Sequence, residues 1–435
     1  MTKDTLQLSQ KWRDEGLRYA SEVNAYVRRG LESNWEEPGE EPSEDSRREL
    51  ASQVYKIIKQ ANKTGELETL REQFPAASWP FGETHRQLMR AVCPIAFLHD
   101  GTFLVAAQNE DLSRTVYVMD KQRAIRIEHV QAASCSADGR DIALMDEQGV
   151  RVVRGPDREL NGTLLATYTW AAIIDQLREK YPDIETLQPH SYRNADVIPF
   201  TDGTKLLMVS HDGIYVIEEA GALLLHPAAD NIREWAEEED ELTASLSMPH
   251  GAVSRSGRWM AYGSQDSGHL LLDQEKWIVY PFEPISSYPH YSLFSANDEN
   301  VWFNACHFYN GCTIGISLPA IEQDDLNKEP SSIDDSMRVY AGVALQKGNI
   351  MGDAYGYLRM IDLDGNELWR YYVSGTISGM ALHPDETTLL VGTYNGMLHV
   401  LDLTSTEPSP YEIGTSSIRE SYRWIIWDTR KPLCW

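Results

Sequence analysis

The segment Gly352-Asp-Ala-Tyr-Gly356-Tyr-Leu358-Arg-Met-Ile361-Asp362-Leu363 returns as Gly392-Thr-Tyr-Asn-Gly396-Met-Leu398-His-Val-Leu401-Asp402-Leu403, 40 residues later at every matched position. Both glycines, the leucine, the aliphatic, the aspartate and the final leucine recur without a gap. A period near 40 with strand-like alternation is what one four-stranded propeller blade leaves in a sequence, because each blade is a single sheet packed face to face on the next. The four repeat glycines are read as turn glycines. No helix follows them to present amide dipoles to a phosphate, so an anion site is not inferred.

Working outward, the same turn device recurs at Asp100-Gly101, Asp138-Gly139, Asp202-Gly203, Ser256-Gly257, Asn297-Asp298, Lys347-Gly348 and Pro384-Asp385, each followed by an apolar run. Asp-Gly pairs supply a residue that tolerates positive φ between two strands. Measured from Gly101, Gly139, Gly203, Gly257, Asp298, Gly348 and Asp385, the steps are 38, 64, 54, 41, 50 and 37 residues. Short steps fit one blade and long ones require insertions. A helix near 169–181, capped by Thr169 and stopped by Pro182, lies in the 64-residue step, and a second near 228–242 lies in the 54-residue step. The 50-residue step holds a strand-like run, Val301 to Ile316, and a polar stretch, 319–337, that reads as a long loop. The expected fold class is mainly β: a seven-bladed β-propeller of four-stranded antiparallel blades over 91–435, preceded by an N-terminal α-helical hairpin within 1–90.

Residues 4–30 form an amphipathic helix pattern through Leu8, Trp12, Ala20, Val23 and Val27. An acidic linker at 35–45 reads as a solvated loop. Ser46-Arg-Arg-Glu49 matches a capping box opening a second helix that ends at Gly65, and a third is expected over 66–73. The hairpin leaves an apolar face that a third helix, the propeller wall or another protein must cover. A polar segment follows around His85 to Arg90. At the far end, Tyr422-Arg-Trp-Ile-Ile-Trp427 is too apolar for a free tail, and is expected either as the last blade's outer strand or as a closing strand beside 91–107.

The segment His383-Pro384-Asp385 with Leu389-Leu-Val-Gly392-Thr and Gly396-Met-Leu-His-Val-Leu-Asp402 is similar to a WD-repeat blade. Gly356-Tyr-Leu-Arg-Met-Ile-Asp362-Leu-Asp-Gly365-Asn-Glu-Leu-Trp369 resembles a quinoprotein-type blade, whose tryptophan docks between adjacent sheets. The resemblance to the WD-repeat and quinoprotein-like propeller superfamilies implies the ring architecture over about 91–428 and carries no functional residue with it.

Charge narrows the partners. The chain has 66 acidic against 39 basic residues, a formal net charge of −27, so bare nucleic acid and anionic membranes are excluded as expected partners. Five scattered cysteines without a C-x-x-C pair fit reduced thiols, and Cys306, His307 and Cys312 read as strand residues with buried thiols. No secretory h-region or membrane-length apolar run is visible, which leads to a cytoplasmic expectation. No metal motif, nucleophile elbow or P-loop occurs, so no catalytic residue, cofactor or metal is assigned.

The leading expectation is a non-enzymatic scaffold whose propeller loops bind a basic protein. The partner-binding candidates are Trp235 beside Glu237, Glu238, Glu239, Asp240 and Glu241, an aromatic anchor next to an acidic run, and Trp170 in the other insertion. A sharper version is an immunity protein that neutralises a cationic toxin such as a nuclease. A different class is a metal-dependent hydrolase with ligands converging at the ring axis.

Overall fold

The structure, a computed structural model, describes residues 3–77, 80–82, 90–186, 195–239, 242–308, 310–323, 331–333, 337–373 and 375–435. The segment around His85 to Arg90 therefore lies outside the described residues, Arg90 excepted. The described residues form seven antiparallel sheets, six of four strands and one of five, each built from strands consecutive in the chain. The blades span 92–127, 132–169, 196–226, 250–282, 288–333, 339–372 and 377–434. Within each blade the strands are called a to d from the ring axis outward. Strands b and c are almost wholly buried because each is covered by sheets on both sides, whereas the d strands form the rim.

All seven turns read from the sequence join strand a to strand b. Gly101, Gly139, Gly203 and Gly257 have φ of 81°, 72°, 72° and 76°, and Asp298 takes 55° in the fifth turn. In the seventh the left-handed residue is Glu386 at 61°, not Asp385. Asp385 instead accepts the Thr387 amide at 2.9 Å, as Asp202 accepts that of Thr204 at 2.9 Å.

The repeat glycines divide into two kinds. Gly356 and Gly396, at φ of 93° and 78°, are turn residues as expected. Gly352 and Gly392 are strand residues, and the reading of them as turn glycines is corrected. A Cβ on Gly352 would stand 2.7 Å from Ile377 of the next blade, and one on Gly392 would stand 1.6 Å from the Val92 carbonyl of the first. The 40-residue period therefore records where one sheet's backbone approaches its neighbour.

Two readings in blade 5 are also corrected. Val301 to Ile316 is a hairpin, Asn300–His307 and Asn310–Ser317, and 319–337 contains a short helix, Leu318–Glu322, and the d strand Ser331–Ile333. A three-residue outer strand pairs on one side only and has no need of apolar alternation, so it leaves no pattern to read. At the C-terminus, Arg419–Ile425 is the outer strand of blade 7 and is itself followed by Leu433–Cys434 as a fifth strand. The ring closes by packing, by a parallel bridge of Arg90 to Asn395 and by the Ser378 hydroxyl, which donates to the Val92 carbonyl at 2.7 Å.

The N-terminal helices are α1 (Lys3–Glu32), α2 (Ala51–Thr64) and α3 (Leu67–Gln73). The capping box does not form. Asp45 accepts the Arg47 amide at 3.0 Å to cap a 3-10 turn over Ser46–Glu49, and the Ser46 amide is taken by Glu15 at 2.7 Å. The linker also packs on α1, with Arg29 donating to the Pro38 carbonyl and Arg18 to that of Glu44. The propeller covers the hairpin's apolar face: Trp12, Val54, Ile58, Phe74 and Phe81 share one core with Met397, Ile425, Trp427 and Trp435. The Asn62 side chain pairs with both backbone groups of Cys434, at 2.8 Å each.

The two insertions are α4 (Trp170–Lys180), capped by Thr169, and α5 (Ala229–Glu239). Both bury apolar residues against the rim of blade 3, where Ile173, Leu177 and Ile232 meet Ala222 and Leu224.

Candidate interaction face

Strands alternate in direction, so every ab and cd turn lies on one face of the ring, and every bc turn and da connection on the other. The ab face is internally bonded. The His99 amide donates to the Pro156 carbonyl, Arg154 to that of Thr201, and Thr201 Oγ1 to that of Arg255. The Arg255 and Ser256 amides donate to Asp298 at 2.9 and 2.7 Å, and the Gln346 amide to Glu386 at 2.9 Å. Turn carboxylates there meet arginines: Arg158 with Asp100, and Arg154 with the fully buried Asp141, at 2.7 Å each. Arg258 holds the fully buried Asp273 at 2.9 Å and also reaches Glu322. Burial pushes the Asp273 carboxyl up, but bonds from Arg258 and two turn amides outweigh it and hold it below the usual range.

The bc face is different and itself divided. The bc turns of blades 1 to 4 carry Glu110, Asp111, Asp146, Glu147, Asp212 and Asp266. Glu110 meets Arg90 at 3.1 Å, whereas among the described residues Asp111, Glu147 and Asp266 have no basic partner within ion-pair distance. The bc turns of blades 5 to 7 carry exposed aromatics: Phe308, 73% exposed, Tyr355 and Tyr394. Contacts link these turns. Phe308 meets the edge of His307 at 4.5 Å, and His307 stacks on Tyr288 at 5.7 Å. Arg338 donates to the Phe308 carbonyl at 2.7 Å and lies 4.9 Å over Tyr340, which meets Tyr394 at 5.9 Å. Exposed aromatic side chains fixed by a scaffold are the residue type that anchors protein interfaces.

The propeller also holds nearly all the excess charge. Residues 91–435 carry 50 acidic and 25 basic side chains, against 16 and 14 in residues 1–90. Acid turns beside aromatic turns give one face both long-range attraction for a cationic surface and short-range apolar contact.

The residues singled out from the sequence fall as follows. Trp235 stands on α5 at 46% exposure and Glu237 is exposed. Glu238 and Glu239 complete that helix, and Asp240 and Glu241 lie outside the described residues. Helix α5 belongs to the da connection from blade 3 to blade 4, so it leaves from the bc face. Trp170 is corrected to a core residue: it is 4% exposed and its indole donates to the Asp146 carbonyl at 2.9 Å, which closes the bc turn of blade 2. Phe308, Tyr355 and Tyr394 were missed. Two of them lie between the paired glycines of the repeat, where a turn that served folding alone would take small polar residues.

The ring axis is a narrow channel. Its ab mouth, about 330 Å³, is walled by strand a residues such as Phe97, Val253, Leu293 and Val343. Its bc mouth, about 470 Å³, is crossed by an ion pair between Arg114 of blade 1 and Asp196 of blade 3 at 3.0 Å. Cys93 and Cys135 line this mouth, and burial pushes both thiols up, Cys135 to about 11, so they stay protonated. No group of three or more His, Cys, Asp or Glu able to hold a metal gathers among the described residues. Nor is any helix among them long and apolar enough to cross a membrane.

No protein-family model matches the chain, and no curated protein matches it significantly. The propeller domain of Cps50 (Swd1) from Myceliophteria thermophila is similar at 11% identity, covering 70% of this chain and 92% of that one with a TM-score of 0.45. A chain of a mitotic checkpoint complex is similar at 12% identity, covering 69% and 83%, with a TM-score of 0.45. The seven sheets themselves make this a seven-bladed β-propeller.

Proposed function

We propose that this chain is a protein-binding propeller whose bc face takes a basic protein. One observation carries the reading: on that face three turn carboxylates lack an ion-pair partner among the described residues and stand beside turns that expose Phe308, Tyr355 and Tyr394, while the opposite face bonds its own turns to one another. The function is binding; a cationic toxin and a basic subunit of a standing complex are both partners of this chemistry. Trp235 and Glu237 extend the surface at its edge.

The test is affinity capture from the source cells with wild type and with Phe308→Ser/Tyr394→Ser, read by mass spectrometry and followed by titration of the captured protein. A basic protein should be retained by wild type, bound at least tenfold more weakly by the variant, and released by about 1 M salt. An acidic partner, or a basic one indifferent to both substitutions, would sink the reading.

A further inference from the structure

Trp277 occupies a position that folding alone would give to another residue. It ends the cd turn of blade 4 with φ of 54°, and in the corresponding turn of blade 6 the left-handed residue is Gly365 at 94°. A bulky side chain at positive φ is strained, yet the indole is 50% exposed, so burial does not offset that strain. It stands at the lip of a groove of about 500 Å³ between blades 3 and 4, whose other wall is Gln176, Glu179 and Lys180 of α4 with Glu218 below.

The chain continues from Trp277 into the outer strand of blade 4, Ile278–Phe282, where Ile278 and Val279 are also exposed. Three other rims are covered. Helix α4 packs on strand d of blade 3, Tyr372 and Arg370 of blade 6 bond to residues 413–415, and blade 7 carries its fifth strand. The outer strands of blades 1, 2 and 5 end their sheets as that of blade 4 does; what sets blade 4 apart is the exposed, strained Trp277 beside its edge. Among the described residues nothing pairs with the outer side of Ile278–Phe282. Pro281 has no N–H to lose, so on this strand its nitrogen faces outward. Val279 shares its phase and turns its own N–H and C=O groups the same way.

We propose that this rim is a second docking surface, which takes an extended segment of a basic partner as an added strand beside Ile278–Phe282. A free strand edge pairs with backbone and selects by alternate side chains. The −27 charge of the chain opposes a second copy of itself and favours a segment alternating apolar with Lys or Arg residues. The apolar side chains would lie on Trp277 and Val279, and the cations beside Glu179, since Glu218 already meets Lys205 at 3.5 Å. This surface stands apart from the bc face and does not depend on it.

The probe is a phage-displayed library of randomised heptapeptides selected on the full chain, with enriched sequences remade synthetically. Enriched peptides should alternate apolar and basic residues and lose at least tenfold in affinity for Trp277→Gly and for Val279→Pro. They should bind Phe308→Ser as they bind wild type, and Trp277→Gly should hold or raise the thermal midpoint because glycine relieves the strained φ. The proposal is overturned if no sequence enriches, if binding survives both rim substitutions or is lost in Phe308→Ser, or if Trp277→Gly lowers the midpoint, which would make the indole a packing residue.

Discussion

The two faces of the ring are made from the same number of turns, but those turns have different work. On the ab face each carboxylate described above has a donor within the molecule, and the bonds run from blade to blade: blade 1 to 2, 2 to 3, 3 to 4, 4 to 5 and 6 to 7. On the bc face aromatic side chains and several carboxylates face solvent. The ab turns are short and constrained by a left-handed residue, so their side chains reach neighbouring turns. The bc face also receives the da connections, which carry both helical insertions. The difference teaches where to separate stability from binding: changes on one face should unfold the ring, and changes on the other should leave it folded and idle.

The largest effect is expected from Arg258→Ala. It removes the partner of Asp273, whose carboxylate is fully buried, and releases Glu322 in the next blade. Breaking a buried pair from one side costs up to about 3–5 kcal/mol, and the Glu275 and Lys276 amides that remain on Asp273 hold the loss to the lower end of that range. The loss should appear as a lower urea midpoint, and Arg258→Ala/Asp273→Asn should recover part of it. An unchanged midpoint would mean that the ab face does not hold the ring together.

The faces also separate in pH. His250 and His269 lie beneath the bc side of blade 4, with His250 Nε2 and His269 Nδ1 unpartnered among the described residues. Burial lowers both to about 3, helped by neighbouring histidines. Below about 6.5 the unfolded chain protonates these rings and the folded chain does not. Their contribution is therefore present above pH 6.5 and is lost as pH falls toward 3, with a slope of up to about 1.4 kcal/mol per pH unit for each ring. The ab-face carboxylates act lower: Asp385 is held at about 2 by the Thr387 hydroxyl and amide, and burial of Asp100 is outweighed by bonds from Thr102 and Arg158. Their contribution is present above about pH 4 and lost below it. Glu412, raised to about 7 by burial, has the opposite sign to the histidines, so the measurement is a difference: His269→Gln should flatten the stability curve from pH 6.5 down to about 3 and leave the curve above pH 6.5 unchanged.

The fold was legible because its demands are local. Each ab turn needs a residue that tolerates positive φ, and seven such turns separated by apolar runs count seven blades without knowledge of any contact. Gly392 shows the limit: its place in the repeat was plain, but the reason for it, the Val92 carbonyl of a blade 300 residues away, was not. The bc face was not legible for the same reason. Glu110 and Tyr394 come from opposite ends of the propeller and share a face only because the ring brings every bc turn to one side. Trp170 illustrates the converse error. An exposed-looking aromatic in an insertion buries when a carbonyl, here that of Asp146, accepts its N–H.

The smallest effect is the one that tests the comparison most directly. Glu147→Gln and Asp266→Asn alter exposed side chains of bc turns with no ion-pair partner among the described residues, so each should shift stability by less than about 0.5 kcal/mol. Each should nevertheless weaken a basic partner about twofold at low salt, chiefly through association rate, and the loss should vanish near 1 M salt, where the Debye length falls to about 3 Å. Asp138→Asn is the control, because Asp138 is equally a turn aspartate but sits on the ab face, accepting from the Ser136 hydroxyl at 2.6 Å and the Arg140 amide at 3.1 Å. It should cost stability and leave the salt dependence of binding alone. If all three substitutions weaken the partner alike, the attraction comes from net charge spread over the whole ring; if only the first two do, it comes from the face on which they stand.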